Sequence, residues 1–257
     1  MTEPLLAYLG QPTLKTRMLA EIEEHRKADQ IVPGLYGNYL AKHFIGCAVG
    51  CALHSLNRIT QDAKPTDMHE RFPSELGIPT NVAWAMDHIF ERLPKDRAQT
   101  WPGEVMAAIP VGADLSQVID KAVLWTLRHD LETPIDYPEG IARHEQLIAL
   151  YERRLAGDEP PDSEWQAVEQ SAWDAWDATF ALAAWAARAA RAARAAWDAR
   201  AARAAWDARA AWAARAARAA WDAWAARDVF YQKLADSLLN ILRSSPVPLA
   251  DSASGVQ

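Results

Sequence analysis

The sequence has little cysteine and no long apolar run. Its 257 residues include two cysteines, Cys47 and Cys51, too few for a disulfide framework and typical of a reducing compartment. No segment approaches the roughly 18 apolar residues of a membrane span, and the N-terminus lacks the basic start and apolar stretch of a secretory signal. We therefore expect a cytoplasmic protein with no membrane partner.

The sequence also lacks a strong excess of basic charge. The formal net charge is −7, and residues 171–228 hold nine Arg against six Asp, a local balance of +3 that leaves −10 for the remainder. Three excess charges spread over that length are too few for a nucleic-acid-binding stripe, so we do not expect DNA or RNA as a partner. An acidic body with a mildly basic segment instead favours self-association or an anionic partner.

Glycine and proline are absent from residues 162–245, and alanine, the best helix former, dominates that stretch. It would extend about 125 Å as one helix, and a helical hairpin fits the same composition. Elsewhere the apolar spacing is typical of helices, and no stretch alternates as a strand would. The prediction is an all-α fold, with helices in the first part over residues 14–28, 39–56, 81–93, 101–109, 114–131 and 138–155.

The best candidate for a domain boundary is the polar segment between Gly157 and Pro161. It divides the chain into a helical front domain at 1–156, a linker at 157–162 and an Ala/Trp/Arg-rich arm at 163–245. A disordered tail is predicted at 246–257.

The arm contains a repeat. The sequence AARAAWDAR occurs at 192–200 and 201–209, and Trp or Arg recurs at every third residue from Trp185 to Arg227. Three residues advance about 300° on an α-helix, so the row circles the axis and forms no single apolar face. Eight tryptophans here can bury on the order of 1,600 Å², about the area of a standard protein interface. These candidate interface residues are Trp173, Trp176, Trp185, Trp197, Trp206, Trp212, Trp221 and Trp224.

Three interpretations of the arm stay open. A second copy of the chain could cover the tryptophans, which predicts a homo-oligomer and is the interpretation we favour. The arm could instead fold back as a hairpin that completes the core of a monomer. The repeat could also have expanded by slippage of its coding sequence and be tolerated because it stays helical.

His43, Cys47, Cys51 and His54 carry the clearest chemical pattern. On the predicted helix they fall at about 0°, 40°, 80° and 20°, one narrow stripe. Residues four apart can share a metal ion, and thiolate with imidazole favours zinc, with two or three of the four as ligands. An open position on the ion beside the carboxylate of Glu70 would suit hydrolysis by an activated water. Further ligands would come from His69, Glu70, Asp87 and His88.

Two other interpretations of the cysteines stay open, and tight core packing is the simplest. Buried cysteine behaves as a small hydrophobe, and a redox thiol pair is the third alternative. His25 and Asp29, four apart, could belong to a site or form a solvated pair, and Asp87 and Glu91 share that spacing. There is no Gly-rich phosphate loop, nucleophile elbow or HExxH motif, so the sequence does not support a conventional nucleotide-dependent enzyme and favours a protein that is not an enzyme. Zinc is the one cofactor that the sequence suggests.

Four segments together suggest a family: GCAVGCALHS at 46–55, HERF with GIP within 69–79, DHIFERLP at 87–94 and AIPVGADLS at 108–116. They resemble an uncharacterised group of proteins, many from bacteriophages and prophages, which also end in Ala-rich tails. The resemblance implies a phage or prophage origin and supplies no activity. His43 is not part of the group's pattern, and Arg92 departs from the small residue expected there. The matching positions of interest are His25, Asp29, Cys47, Cys51, His54, His69 and Asp87.

The leading hypothesis is a non-catalytic helical binding or assembly protein of phage type. Its front domain would hold a polar pocket with Cys47, Cys51, His54 and His69, with the arm mediating self-association. By analogy alone, it would interfere with a host system by binding a host protein or a small signalling molecule. The alternatives are a metal-dependent hydrolase that uses the same pocket and a purely structural homo-oligomer.

Overall fold

The structure is a computed structural model. It describes residues 5–35, 37–40, 43–132, 138–174 and 222–248. The backbone alone is described at residues 38–40, 43, 138–140, 143, 169–174 and 222–227.

The described residues are mostly helical, which confirms the all-α prediction. A short 3₁₀ turn at Ala7–Gly10 precedes the first helix. The α-helices described are α1 Pro12–Lys27, α2 Ala48–Thr60, α3 Arg71–Leu76, α4 Thr80–Phe90, α5 Lys95–Ala108, α6 Val118–Leu131, α7 Pro138–Leu155, α8 Asp162–Asp174 and α9 Asp222–Arg243.

The segment before α2 corrects the sequence prediction. The predicted helix over 39–56 is wrong at its start, because β1 (Asn38–Leu40) and β2 (His43–Ile45) form an antiparallel hairpin. Tyr, Phe and Ile in these strands favour extended backbone. Gly46 then pairs with the loop after α1, in a parallel bridge to Ile31. Since α2 begins only at Ala48, His43 is not on that helix and the four-residue stripe is not one helical face.

The helix predicted at 101–109 is longer than expected. It is α5, Lys95–Ala108, with Pro102 in its interior rather than in its first turn. An interior proline removes one backbone hydrogen bond, and packing offsets that loss. The neighbouring Trp101 is fully buried, and its indole N–H donates to the carbonyl of Met86 at 2.9 Å.

The main core lies between α2, α4 and α5 and includes the last helix. Leu53, Ile89 and Trp101 belong to the same buried cluster as Leu234 and Leu238 of α9, and α9 contacts α4, α5 and α6. The end of the predicted arm is therefore part of the front core, whereas the domain boundaries themselves stay a prediction. A second cluster joins α6, α7 and α8 around Trp165.

Most of the predicted interface lies outside the described residues, namely Trp176, Trp185, Trp197, Trp206, Trp212 and Trp221. Trp173 lies on α8 and Trp224 on α9, where the backbone alone is described. In the predicted tail, the carbonyl of Pro246 accepts a 2.8 Å hydrogen bond from the Asp114 N–H, and residues 249–257 lie outside the description. Among the helices described, none is long and apolar enough to cross a membrane.

Candidate metal centre

The two cysteines face different surroundings although they are four residues apart. Cys47 is the N-cap of α2: its Sγ accepts a 3.4 Å hydrogen bond from the Gly50 N–H, and its own N–H donates to the carbonyl of Leu35. The Cys51 thiol instead donates to the carbonyl of Gly46 at 3.3 Å. The helix start at Ala48 therefore separates the two sulfur atoms into different environments.

Cys47 meets two carboxylates of α4. Its Sγ, one oxygen of Asp87 and one oxygen of Glu91 all lie within 4.8 Å of one another. Asp87 lies in α4 and Glu91 directly follows it as C-cap, so the two side chains share one face. The packing of α2 against α4 brings this face to the N-cap sulfur. The arrangement offers one soft and two hard ligand atoms to a single point.

Cys47 and Glu91 both have raised pKa values. Burial raises the pKa of the Cys47 thiol, and the adjacent Asp87 carboxylate raises it further. Burial also raises the pKa of Glu91, with a further contribution from Asp87, although the Gly34 N–H opposes the rise. A divalent cation would reverse these shifts, because it favours the deprotonated form of every group that ligates it.

The loop after α1 holds Glu91 in place. The Gly34 N–H donates to both carboxylate oxygens of Glu91, at 2.9 and 2.8 Å. Gly34 has a positive φ of 82°, a conformation that glycine adopts without strain. The same loop is tied to the start of α2, since the Val32 N–H donates to the carbonyl of Gly46. Backbone hydrogen bonds of this loop therefore hold Glu91, the most exposed of the three residues, in place.

The carboxylate of Asp87 is buried, and its two oxygens have different surroundings. The residue is 5% exposed. Its Oδ2 lies 3.3 Å from His69 Nε2. Its Oδ1 is buried and accepts no N–H or O–H hydrogen bond from the described residues. The Cys47 thiol forms a side-chain hydrogen bond with the same carboxylate, and a cation bound here would take the place of the thiol proton.

His25 and His54 form a separate group. His54 Nδ1 lies 3.1 Å from His25 Nε2, and His25 Nδ1 lies 2.6 Å from Gln30 Oε1. Phe44 stacks on His54 with ring centroids 4.0 Å apart. Burial lowers the pKa of His25, and burial, then His25 and Arg58, lower the pKa of His54 to about 4. These shifts favour the neutral form of both rings.

The predicted site residues thus fall into three sets. Cys47 and Asp87 come together, and His69 joins them through Asp87. The Cys51 thiol lies 3.7 Å from the backbone carbonyl of Gln30, and the side-chain oxygen of the same residue contacts His25, the partner of His54. Asp29 accepts a surface hydrogen bond from Gln99, and Glu70 is exposed. Sequence reasoning did not join Glu91 to Cys47, although its spacing from Asp87 was a usable signal.

Comparisons with protein families, curated proteins and solved structures give no match.

A second concave feature is a groove of about 450 Å³ between α1 and α5. Its charged residues are paired with other protein groups: Arg26 binds Glu23, and Glu104 binds Arg97. No set of polar groups converges on a ligand position in this groove. The group formed by Cys47, Asp87 and Glu91 is the stronger candidate, and we call it the metal centre.

Proposed function

We propose that this chain is a non-catalytic, helical metal-binding protein whose front domain holds one divalent ion of zinc type. The convergence of Cys47, Asp87 and Glu91 within 4.8 Å carries the proposal. The buried Asp87 oxygen that accepts no N–H or O–H hydrogen bond from the described residues supports it, because a bound cation would satisfy that oxygen.

The ligand atoms select the class of metal. Zinc is bound in proteins by cysteine sulfur, histidine nitrogen and carboxylate oxygen, whereas magnesium and calcium take oxygen ligands. A thiolate therefore favours zinc or another borderline-soft ion. The thiol must stay reduced to bind, which accords with a cytoplasmic location.

The charge of the ligands favours binding over catalysis. One thiolate and two carboxylates carry −3, so a divalent ion leaves the metal centre at −1. Zinc hydrolases activate water through the positive charge of the ion, and three anionic ligands reduce that effect. A metal-dependent hydrolase therefore remains the alternative without an observation in its favour.

The biological setting belongs to the same proposal. The sequence resemblance supports a phage or prophage origin, and binding of a host protein or a small signalling molecule follows from that origin by analogy alone. The tryptophan-rich arm supports self-association through its composition. Native mass spectrometry of the untagged protein tests this part: an oligomer is expected, and a bare monomer of 28.5 kDa would count against self-association.

The two buried cysteines provide a matched test of the metal centre. Cys47→Ala should abolish zinc retention by the purified protein, because it removes the thiolate ligand. Cys51→Ala, an identical change four residues along α2, should retain one zinc per chain as the wild type does. The measurement is metal content by elemental analysis after dialysis. Wild-type protein without zinc, or equal loss in both variants, would refute the proposal.

A further inference from the structure

His69 is buried beside the metal centre and stacks on Trp84. It is 1% exposed. Its imidazole stacks on the Trp84 indole, with ring centroids 3.4 Å apart and planes 8° apart. Its Nε2 lies 3.3 Å from Oδ2 of Asp87, one of the three ligands. The ring therefore presents a nitrogen atom to the same carboxylate that the ion would bind.

The distance between these two atoms fits shared coordination. Two ligand atoms bound to one tetrahedral zinc, with N and O about 2.1 Å from the ion, lie roughly 3.4 Å apart. Charge-assisted N–H···O bonds are shorter, about 2.7–2.9 Å. The observed 3.3 Å separation is thus closer to a pair of ligands than to a strong ion pair.

Charge also favours a neutral nitrogen at the fourth position. With Cys47, Asp87 and Glu91 as ligands, the net charge of the metal-loaded centre is −1. A fourth anionic ligand would make that net charge −2 in a partly buried region. Neutral imidazole adds no charge and is the commonest protein metal ligand. Structural zinc sites are almost always four-coordinate, and the three-residue group leaves one position to fill.

Resting on the proposed function, we propose that His69 is the fourth ligand and completes a Cys47–His69–Asp87–Glu91 site. His69 does not belong to the group of atoms within 4.8 Å. Ion binding therefore requires the His69 imidazole to shift toward Cys47 and Glu91 while it keeps its separation from the Asp87 oxygen. The alternative role is a positioning one, in which His69 stays a hydrogen-bond donor that orients Asp87.

Two substitutions separate these roles. His69→Gln keeps an N–H donor for Asp87 but removes the imidazole ligand, whereas His69→Ala removes both. Cobalt(II) is the probe, because its visible absorption reports the number and type of ligands, and competition with a chelator gives its affinity. Loss of an outer hydrogen bond typically weakens metal binding by roughly 10- to 100-fold.

If His69 is a ligand, both variants bind cobalt more than about 100-fold more weakly than the wild type, and both have altered d–d bands. Wild-type affinity and spectrum in His69→Gln would overturn this inference while leaving the three-residue metal centre intact. A wild-type protein that shows no thiolate-to-cobalt charge-transfer band would overturn the proposed function as well. Equal unfolding midpoints of the metal-free proteins show that the variants are folded.

Discussion

A chain that ends at residue 221 will not fold, because it lacks the last helix of the main core. The free energy of unfolding of a domain is about 5–15 kcal/mol. Burial of one large apolar side chain contributes about 1.5–3 kcal/mol, so the six large side chains of α9 contribute roughly 9–18 kcal/mol. These buried side chains are Phe230, Tyr231, Leu234, Leu238, Leu239 and Leu242.

Near-ultraviolet circular dichroism and urea unfolding test this expectation. The truncated chain should lack fixed aromatic signals and a cooperative unfolding transition. A chain that ends at residue 248 is the control, since it retains α9 and the contact of Pro246 with Asp114. A cooperative transition in the chain ending at 221 would show that α9 is dispensable and that the front domain folds alone.

Zinc will stabilise the wild-type protein and will not stabilise Asp87→Asn. A ligand that binds only the folded state at about 1,000 times its dissociation constant adds about 4.1 kcal/mol to the free energy of unfolding. Asparagine has the shape of aspartate but lacks its charge, so it removes a ligand without opening a cavity. Urea unfolding with zinc and with a chelator measures the difference.

The stability of the metal-free Asp87→Asn protein is a further check. Asparagine keeps a side-chain oxygen that can accept a hydrogen bond from His69, whose Nε2 lies 3.3 Å from Asp87 Oδ2, so the metal-free fold should lose little stability. Asp96→Asn, on an exposed aspartate in the first turn of α5, is the matched control and should keep the full zinc response. A zinc response of Asp87→Asn equal to that of the wild type would contradict the assignment.

Local sequence signals predicted most helices because their causes are local. The helix predicted at 138–155 matches α7, which begins at a proline and ends before Gly157. The error at 39–56 arose because a run of small and apolar residues is compatible with both a helix and a strand. The hairpin depends on pairing between β1 and β2, and on the contact of Gly46 with Ile31, which no local pattern reveals.

The metal centre could be predicted only in part. Cys47 and Asp87 were both candidates, but the helical stripe assigned Cys47 to His43, Cys51 and His54. Its actual partners depend on where α2 begins and on how α2 packs against α4. The Asp87–Glu91 spacing is visible in the sequence, but it is equally typical of an exposed helical face. Only the burial seen in the structure distinguishes a site from an exposed face.

The last helix was assigned to the arm for a similar reason. No glycine or proline separates it from the alanine-rich repeat. Leu234, Leu238 and Leu242 recur every four residues, a spacing typical of a helix that packs into a core. That signal distinguishes α9 from the triplet repeat, in which no single apolar face forms.

The most direct test of the metal centre is X-ray diffraction from crystals of the zinc-loaded protein at the zinc absorption edge. If zinc binds at the metal centre, one anomalous peak per chain is expected, within bonding distance of Cys47 Sγ and of carboxylate oxygens of Asp87 and Glu91. A peak at other residues, or no peak in crystals grown with zinc, would contradict it.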